Sequence, residues 1–197
     1  MVDCTVLNHR VRIVSGRFKG HRLKLIDQKR LRPTSDRVRE TLFNWIGSRI
    51  TSMRVLDLFA GSGALGFEAL SRGAPNVTFI EKQAKIASQI KDTCHRLNLS
   101  AQEAEVICRN CVPWLKQDEQ IWDLVFVDPP FADSNLYTKI LHELQTHVSQ
   151  FGLIYLEHSK RTPIDTNPYS VWKVATVGEV QFSLLSLDSG TSKQSAC

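Results

Sequence analysis

Val55-Leu56-Asp57-Leu58-Phe59-Ala60-Gly61-Ser62-Gly63-Ala64-Leu65-Gly66 decides the fold. A short apolar run stops at an acid, passes two close glycines and enters helix-compatible sequence. Strand, glycine turn and helix in that order build a nucleotide pocket at the carboxyl end of a strand in open α/β sheets. Gly61 and Gly63 suit a backbone of positive φ and admit a ligand without a Cβ in its way. Gly61-x-Gly63-x-x-Gly66 also matches the dinucleotide fingerprint, so this stretch alone does not choose between nucleotides.

Working outward, Arg54–Leu58 reads as a strand and Ala64–Ser71 as its helix, ended by Arg72-Gly73-Ala74-Pro75. Val77–Ile80 is a second strand, stopping at Glu81, and Ile86, Ile90, Cys94 and Leu97 follow at helical spacing. Glu105–Cys108 makes a third strand and Pro113–Lys116 a short helix. Asp123–Val127 is almost unbroken apolar sequence, the mark of a central parallel strand covered on both faces. Leu136, Ile140, Leu144 and Val148 predict a helix; Leu153–Glu157, Val171–Val177 and Val180–Leu187 predict strands, the last two joined around Gly178. The order implies an α/β, doubly wound, mostly parallel seven-stranded sheet with helices on both faces. Gly66 is expected to serve close helix–strand packing alone.

Upstream, Val38, Leu42, Trp45 and Ile46 form one apolar stripe of a helix that Thr34 or Ser35 can cap. Before it, Val11, Ile13, Leu23 and Leu25 alternate with charges around Ser15-Gly16 and Lys19-Gly20, which predicts a basic β-hairpin. Arg10, Arg12, Arg22 and Lys24 would share one face of it. Residues 1–30 thus read as a basic arm, 31–187 as the main domain and 188–197 as a small, polar, disordered tail.

The chain has 197 residues and a net charge of +5. Residues 1–40 hold eleven Lys/Arg against four acids, a net +7, so the remainder carries −2. Excess positive charge gathered at one end is expected of an arm for a polyanion. No apolar run reaches the ~18 residues of a membrane helix, and the start lacks a signal peptide's apolar region; the expected location is the cytoplasm. Five cysteines without framework spacing exclude a disulfide scaffold. Cys108-Arg109-Asn110-Cys111 lacks the second pair of a zinc site, so no metal is expected; Cys108 should lie buried on its strand and Cys111 in the following loop.

Two strand ends carry chemistry. Glu81 lies 20 residues beyond Gly61, where a carboxylate can accept hydrogen bonds from both ribose hydroxyls of an adenosine cofactor. At the fourth strand, Val127-Asp128-Pro129-Pro130-Phe131 ends the ladder with two prolines that have no N–H to give. They hold Asp128 extended, so that its carboxylate and the Pro129 carbonyl are rigid acceptors beside the Phe131 ring. Such a set suits a planar base bearing an exocyclic amine.

Asp57-x-Phe59-Ala60-Gly61-Ser62-Gly63 together with Asp128-Pro129-Pro130-Phe131 resembles class I, Rossmann-like S-adenosylmethionine (SAM)-dependent methyltransferases that act on exocyclic amines. Leu31-Arg32-Pro33-Thr34-Ser35-Asp36-Arg37-Val38-Arg39-Glu40-Thr41-Leu42-Phe43-Asn44-Trp45 is similar to the ribosomal RNA small-subunit methyltransferase D (RsmD) family. The resemblance runs from about Arg12 to about Leu185. It implies SAM as cofactor and methylation of guanine N2 in 16S rRNA, within a small subunit or an assembly intermediate that carries ribosomal proteins. Asp57, Phe59, Ala60, Gly61, Ser62 and Gly63 would line the methionine end, Glu81 would hold the ribose, and Asn110 and Cys111 would border the adenine. Cys111 stands where related proteins commonly have alanine. Asp128, Pro129, Pro130 and Phe131 would grip the guanine, and Arg10, Arg12, Arg17, Lys19, Arg22, Lys24, Arg32 and Thr34 the RNA. Two other functions compete: an adenine-N6 enzyme, and an NAD-dependent oxidoreductase resting on the three glycines and Glu81.

Overall fold

The computed structural model describes residues 11–23, 35–130 and 134–187. The expectations for Arg10, Lys24, Arg32, Thr34, Phe131 and the tail lie outside them.

Seven strands form one sheet: β3 (Arg54–Asp57), β4 (Asn76–Ile80), β5 (Ala104–Ile107), β6 (Trp122–Val127), β7 (Val148–Ser159), β8 (Tyr169–Val177) and β9 (Val180–Leu187). Their order is β5-β4-β3-β6-β7-β9-β8. The first five run parallel, and β9 lies antiparallel to both β7 and β8. Leu124 to Val127 of β6 have no exposed surface, as a central strand covered on both faces must. Alternate side chains divide into two cores. Val55, Leu124, Phe126, Tyr155 and Phe182 pack on the side of α1 (Asp36–Ile46), α2 (Ala64–Ser71) and α3 (Ala84–Arg96). Leu56, Val125, Val127 and Leu156 pack on the side of α4 (Cys111–Leu115) and α5 (Ser134–Leu144).

Ser35 caps α1, its Oγ accepting from Val38 N–H at 3.3 Å. Val38, Leu42 and Ile46 are buried as the stripe predicts, and Trp45 stacks on Phe182 with ring centroids 5.3 Å apart. Gly66 of α2 lies directly over β4: a Cβ there would come within 2.2 Å of the buried Phe79 ring. It does more than pack, however, because its N–H also donates to Asp57 at 3.2 Å.

The hairpin is short. β1 (Val11–Arg12) pairs with β2 (Arg22–Leu23), placing Arg12 opposite Arg22. Val11, Ile13 and Leu23 enter the main core. The buried Glu68 of α2 accepts the N–H groups of Val14 at 2.7 Å and Ser15 at 3.1 Å, and Ser71 bonds Ser15 and Phe18. A two-residue ladder is marginal alone; this clamp and the shared core hold it.

Three expectations are corrected. Val148 does not continue α5. The helix ends at Leu144, the His147 ring sits between the carbonyls of Glu143 (2.8 Å) and Asp118 (2.9 Å), and Val148 opens β7 against Trp122. Cys108 is exposed, because β5 stops at Ile107 and the chain turns there. Cys111 is the buried one: it opens α4, whose first turn packs it into the second core.

Candidate functional site

In this order the chain reverses direction across the sheet between β3 and β6, where open α/β sheets bind ligands beyond the carboxyl ends of their strands. A cavity of about 470 Å³ opens there, within the ordinary range for small-molecule sites. Its wall brings together Asp57, Phe59, Ala60, Gly61, Ser62, Glu81, Asn110, Cys111, Asp128, Pro129 and Pro130, drawn from the ends of four strands and the segments after them. Gly63 stands behind that wall. It begins α2 at φ 77°, gives its N–H to Ala60 O at 2.6 Å, and a Cβ there would strike the Phe67 ring at 2.6 Å. Gly61 has φ 51°, so both glycines occupy the left-handed region that the motif requires.

Asp57 is 3 % exposed, and burial pushes its carboxyl up to about 7 against the opposing pull of the Gly66 N–H; the nearby Glu81 raises it further. A carboxyl poised there gains most by meeting a cation, such as the α-ammonium of an amino-acid moiety. Glu81 accepts from Gly61 N–H at 3.1 Å and Gln83 N–H at 2.8 Å. Each carboxylate oxygen has two acceptor positions, so capacity remains for two ribose hydroxyls. Ile80 and Ile86 supply apolar wall on this side. Cys111, buried beside them, has its thiol pushed up to about 11 by desolvation, so it contributes bulk and not a thiolate. An acidic centre, a second acid one strand along the sheet and an apolar flank fit an adenosine bearing a cationic amino-acid arm.

On the other side, Asp128 is half-buried and Pro129 buried at the end of β6. Tyr137 of α5, Glu157 and His158 of β7 complete the cavity. Sequence reading did not single these out. Glu157 carried the same signal as Glu81, an acid ending an apolar strand, while Tyr137 gave none.

Of the basic residues described, Arg12, Arg17, Lys19 and Arg22 are exposed along the hairpin. Arg12 pairs with Asp36 at 2.8 Å, and Arg17 with Glu103 at 2.7 Å. Arg39, counted with the basic arm by charge, is 1 % exposed and donates to Arg12 O at 2.7 Å and Asp36 at 2.8 Å. It therefore organises the arm from beneath. Among the described residues no helix is long and apolar enough to cross a membrane.

The family model described as "Conserved hypothetical protein 95" matches residues 11–186. The ribosomal RNA small subunit methyltransferase D of Haemophilus influenzae is 41 % identical over 179 residues, covering 88 % of this chain and 92 % of that protein. The solved structure of yhhF from Escherichia coli superposes with a TM-score of 0.81 at 35 % identity, over 90 % of this chain and 98 % of that one. RsmC of T. thermophilus, a 16S rRNA N2 guanine methyltransferase solved with AdoMet and guanosine, shares the fold at a TM-score of 0.68 and 18 % identity, over 90 % of this chain and 49 % of that one. With a Rossmann-like methyltransferase sheet, a cavity at its switch point and these relatives over most of its length, the chain belongs to the RsmD family of SAM-dependent methyltransferases.

Proposed function

We propose that this protein transfers the methyl group of SAM to the exocyclic N2 of a guanine in 16S rRNA of the small ribosomal subunit. The observation that carries this reading is the placement of Asp128 and Pro129 in the same cavity as Asp57, Gly61 and Glu81. When bound, SAM supplies a methyl group on a positively charged sulfur, already a good leaving group. Asp57 meets its ammonium, Glu81 its ribose, and Asn110 and Cys111 flank its adenine.

The chain's own task is to present a poor nucleophile. The N2 lone pair of guanine is delocalised into the ring. The Asp128 carboxylate and the Pro129 carbonyl accept the two N2 hydrogens, favouring a pyramidal nitrogen with its lone pair aimed at the methyl group. Alignment of this kind is worth about 7–11 kcal/mol in the best intramolecular cases. The base has to leave its stack at a cost of a few kcal/mol. Phosphate contacts from Arg12, Arg17, Lys19 and Arg22 offset that cost and make binding salt-dependent.

The test is transfer of labelled methyl from SAM to small subunits taken from a strain lacking this gene, followed by mapping of the modified base. The expected product is one N2-methylguanine in 16S rRNA. Label on adenine N6, or no transfer to the subunit at all, would overturn the reading.

A further inference from the structure

Four acids stand at the carboxyl ends of four consecutive parallel strands: Glu81 after β4, Asp57 on β3, Asp128 after β6 and Glu157 on β7. Asp57 is the register partner of Phe79 and of Phe126, two residues before Glu81 and Asp128. Val127 is the partner of Leu156, so the next register step sets Asp128 beside Glu157, with strand axes about 4.8 Å apart. All four line one cavity. Three have work in the proposed reaction; Glu157 has none so far.

Glu157 is not an incidental surface acid. It is 9 % exposed, and the hydroxyl of the fully buried Tyr155 donates to its Oε2. Tyr137 O–H donates to its backbone carbonyl at 2.9 Å. Two tyrosines thus fix its place, and a carboxylate that accepts a hydrogen bond from a hydroxyl keeps lone pairs to accept another. Burying an acid at this cost is repaid where a donor meets it.

The guanine edge supplies that donor. N1–H is the group next to the 2-amino group, so a base whose amine lies on Asp128 and Pro129 presents N1–H one step along. On the side of Asp128 away from Asp57, the neighbouring strand carries Glu157. Adenine and 2,6-diaminopurine place an acceptor at N1, which a carboxylate repels. We propose that Glu157, clamped by Tyr155, accepts the N1–H of the target base and makes the site selective for guanine over purines with an N1 acceptor. This rests on the guanine-N2 function proposed above and names the residue that enforces it.

The test uses small subunits reconstituted with guanine or 2,6-diaminopurine at the mapped position; both keep the 2-amino group, and only N1 and the 6-substituent differ. For the unmodified enzyme kcat/KM on guanine is expected to exceed that on diaminopurine by about 100-fold, the scale of a well-placed polar contact to a base. In Glu157→Gln the ratio falls to about tenfold or less, because the amide can turn its NH₂ toward an N1 acceptor, while SAM affinity stays within about twofold. Tyr155→Phe, which keeps the carboxylate and removes its clamp, falls between the two. Equal rates on both bases by the unmodified enzyme would overturn the proposal without any variant having to fold, and so would unchanged discrimination in Glu157→Gln. Failure of the unmodified enzyme to methylate guanine would instead overturn the guanine-N2 reading on which the proposal stands.

Discussion

Gly61 donates its N–H to Glu81 across 3.1 Å, which ties the turn after β3 to the acid that ends β4. These two parts of the cavity wall are therefore one hydrogen-bonded unit. Because Gly61 has φ 51°, a side chain here would be strained, and that strain would be passed directly to Glu81.

If Asp57 meets the cofactor's ammonium as proposed, cofactor binding should depend on pH. Its carboxyl is raised from an ordinary 3.8 to about 7, so the folded protein keeps a proton there that the unfolded chain has released. Between about pH 4 and pH 7 stability should fall as pH rises, since the native state binds the extra proton. A cationic ligand prefers the ionised form, so SAM should bind about tenfold more weakly at pH 6 than at pH 8. Isothermal titration across that range, with Asp57→Asn as the pH-flat control, measures it.

Asp128→Ala should reduce methyl transfer by at least about 100-fold while SAM affinity stays near the unmodified value. Asp128 lines the cavity from the end of β6, whereas Asp57 and Glu81 line it from β3 and β4. Near-normal single-turnover rates in this variant would remove Asp128 from the chemistry.

Gly66→Ala should destabilise the fold by about 1–3 kcal/mol, the usual cost of overpacking. The new methyl would meet the fully buried Phe79 ring 2.2 Å away. Urea unfolding reads the loss, and Phe79→Leu in the same chain should recover part of it. Relief of that clash would also shift the residue-66 N–H that donates to Asp57, so cofactor affinity should fall as well.

Glu68→Ala should release the hairpin. The acid has no exposed surface and serves Val14 N–H, Ser15 N–H and Arg72 at once; losing one partner of a buried ion pair costs about 3–5 kcal/mol. Amide exchange in residues 11–23 should rise sharply, with RNA binding weakened more than SAM binding.

Arg12 and Arg22 face each other across the hairpin and are both exposed, a like-charge pairing that a polyanion relieves. Replacing both with alanine should lower the slope of log K against log salt for RNA by about 2. An unchanged slope would place the RNA elsewhere.

What could be read from sequence was whatever is encoded locally. The strand-turn-helix at Asp57–Leu65, the proline stop after Val127 and the Gly178 hairpin each depend on a few adjacent residues, and each stands where the pattern puts it. What escaped depends on distant partners. Arg39 was only one of eleven cations in a charge count until Asp36 and the Arg12 carbonyl closed around it. Val148 fitted a helical spacing, but pairing with Trp122 claimed it for the sheet. Glu157 gained meaning only when register set it beside Asp128.

The outermost strand, β8, carries Val171, Trp172 and Val174 at 43–54 % exposure, an apolar edge that invites pairing with another chain. Its ladder to β9 slips between Val171 and Lys173. That irregularity bends the free edge, and the Lys173 ammonium lies 5.7 Å from the Trp172 ring. A kinked, positively charged margin is a poor template for a foreign strand. The enzyme can thus keep a hydrophobic border in a crowded cell without seeding aggregates of itself.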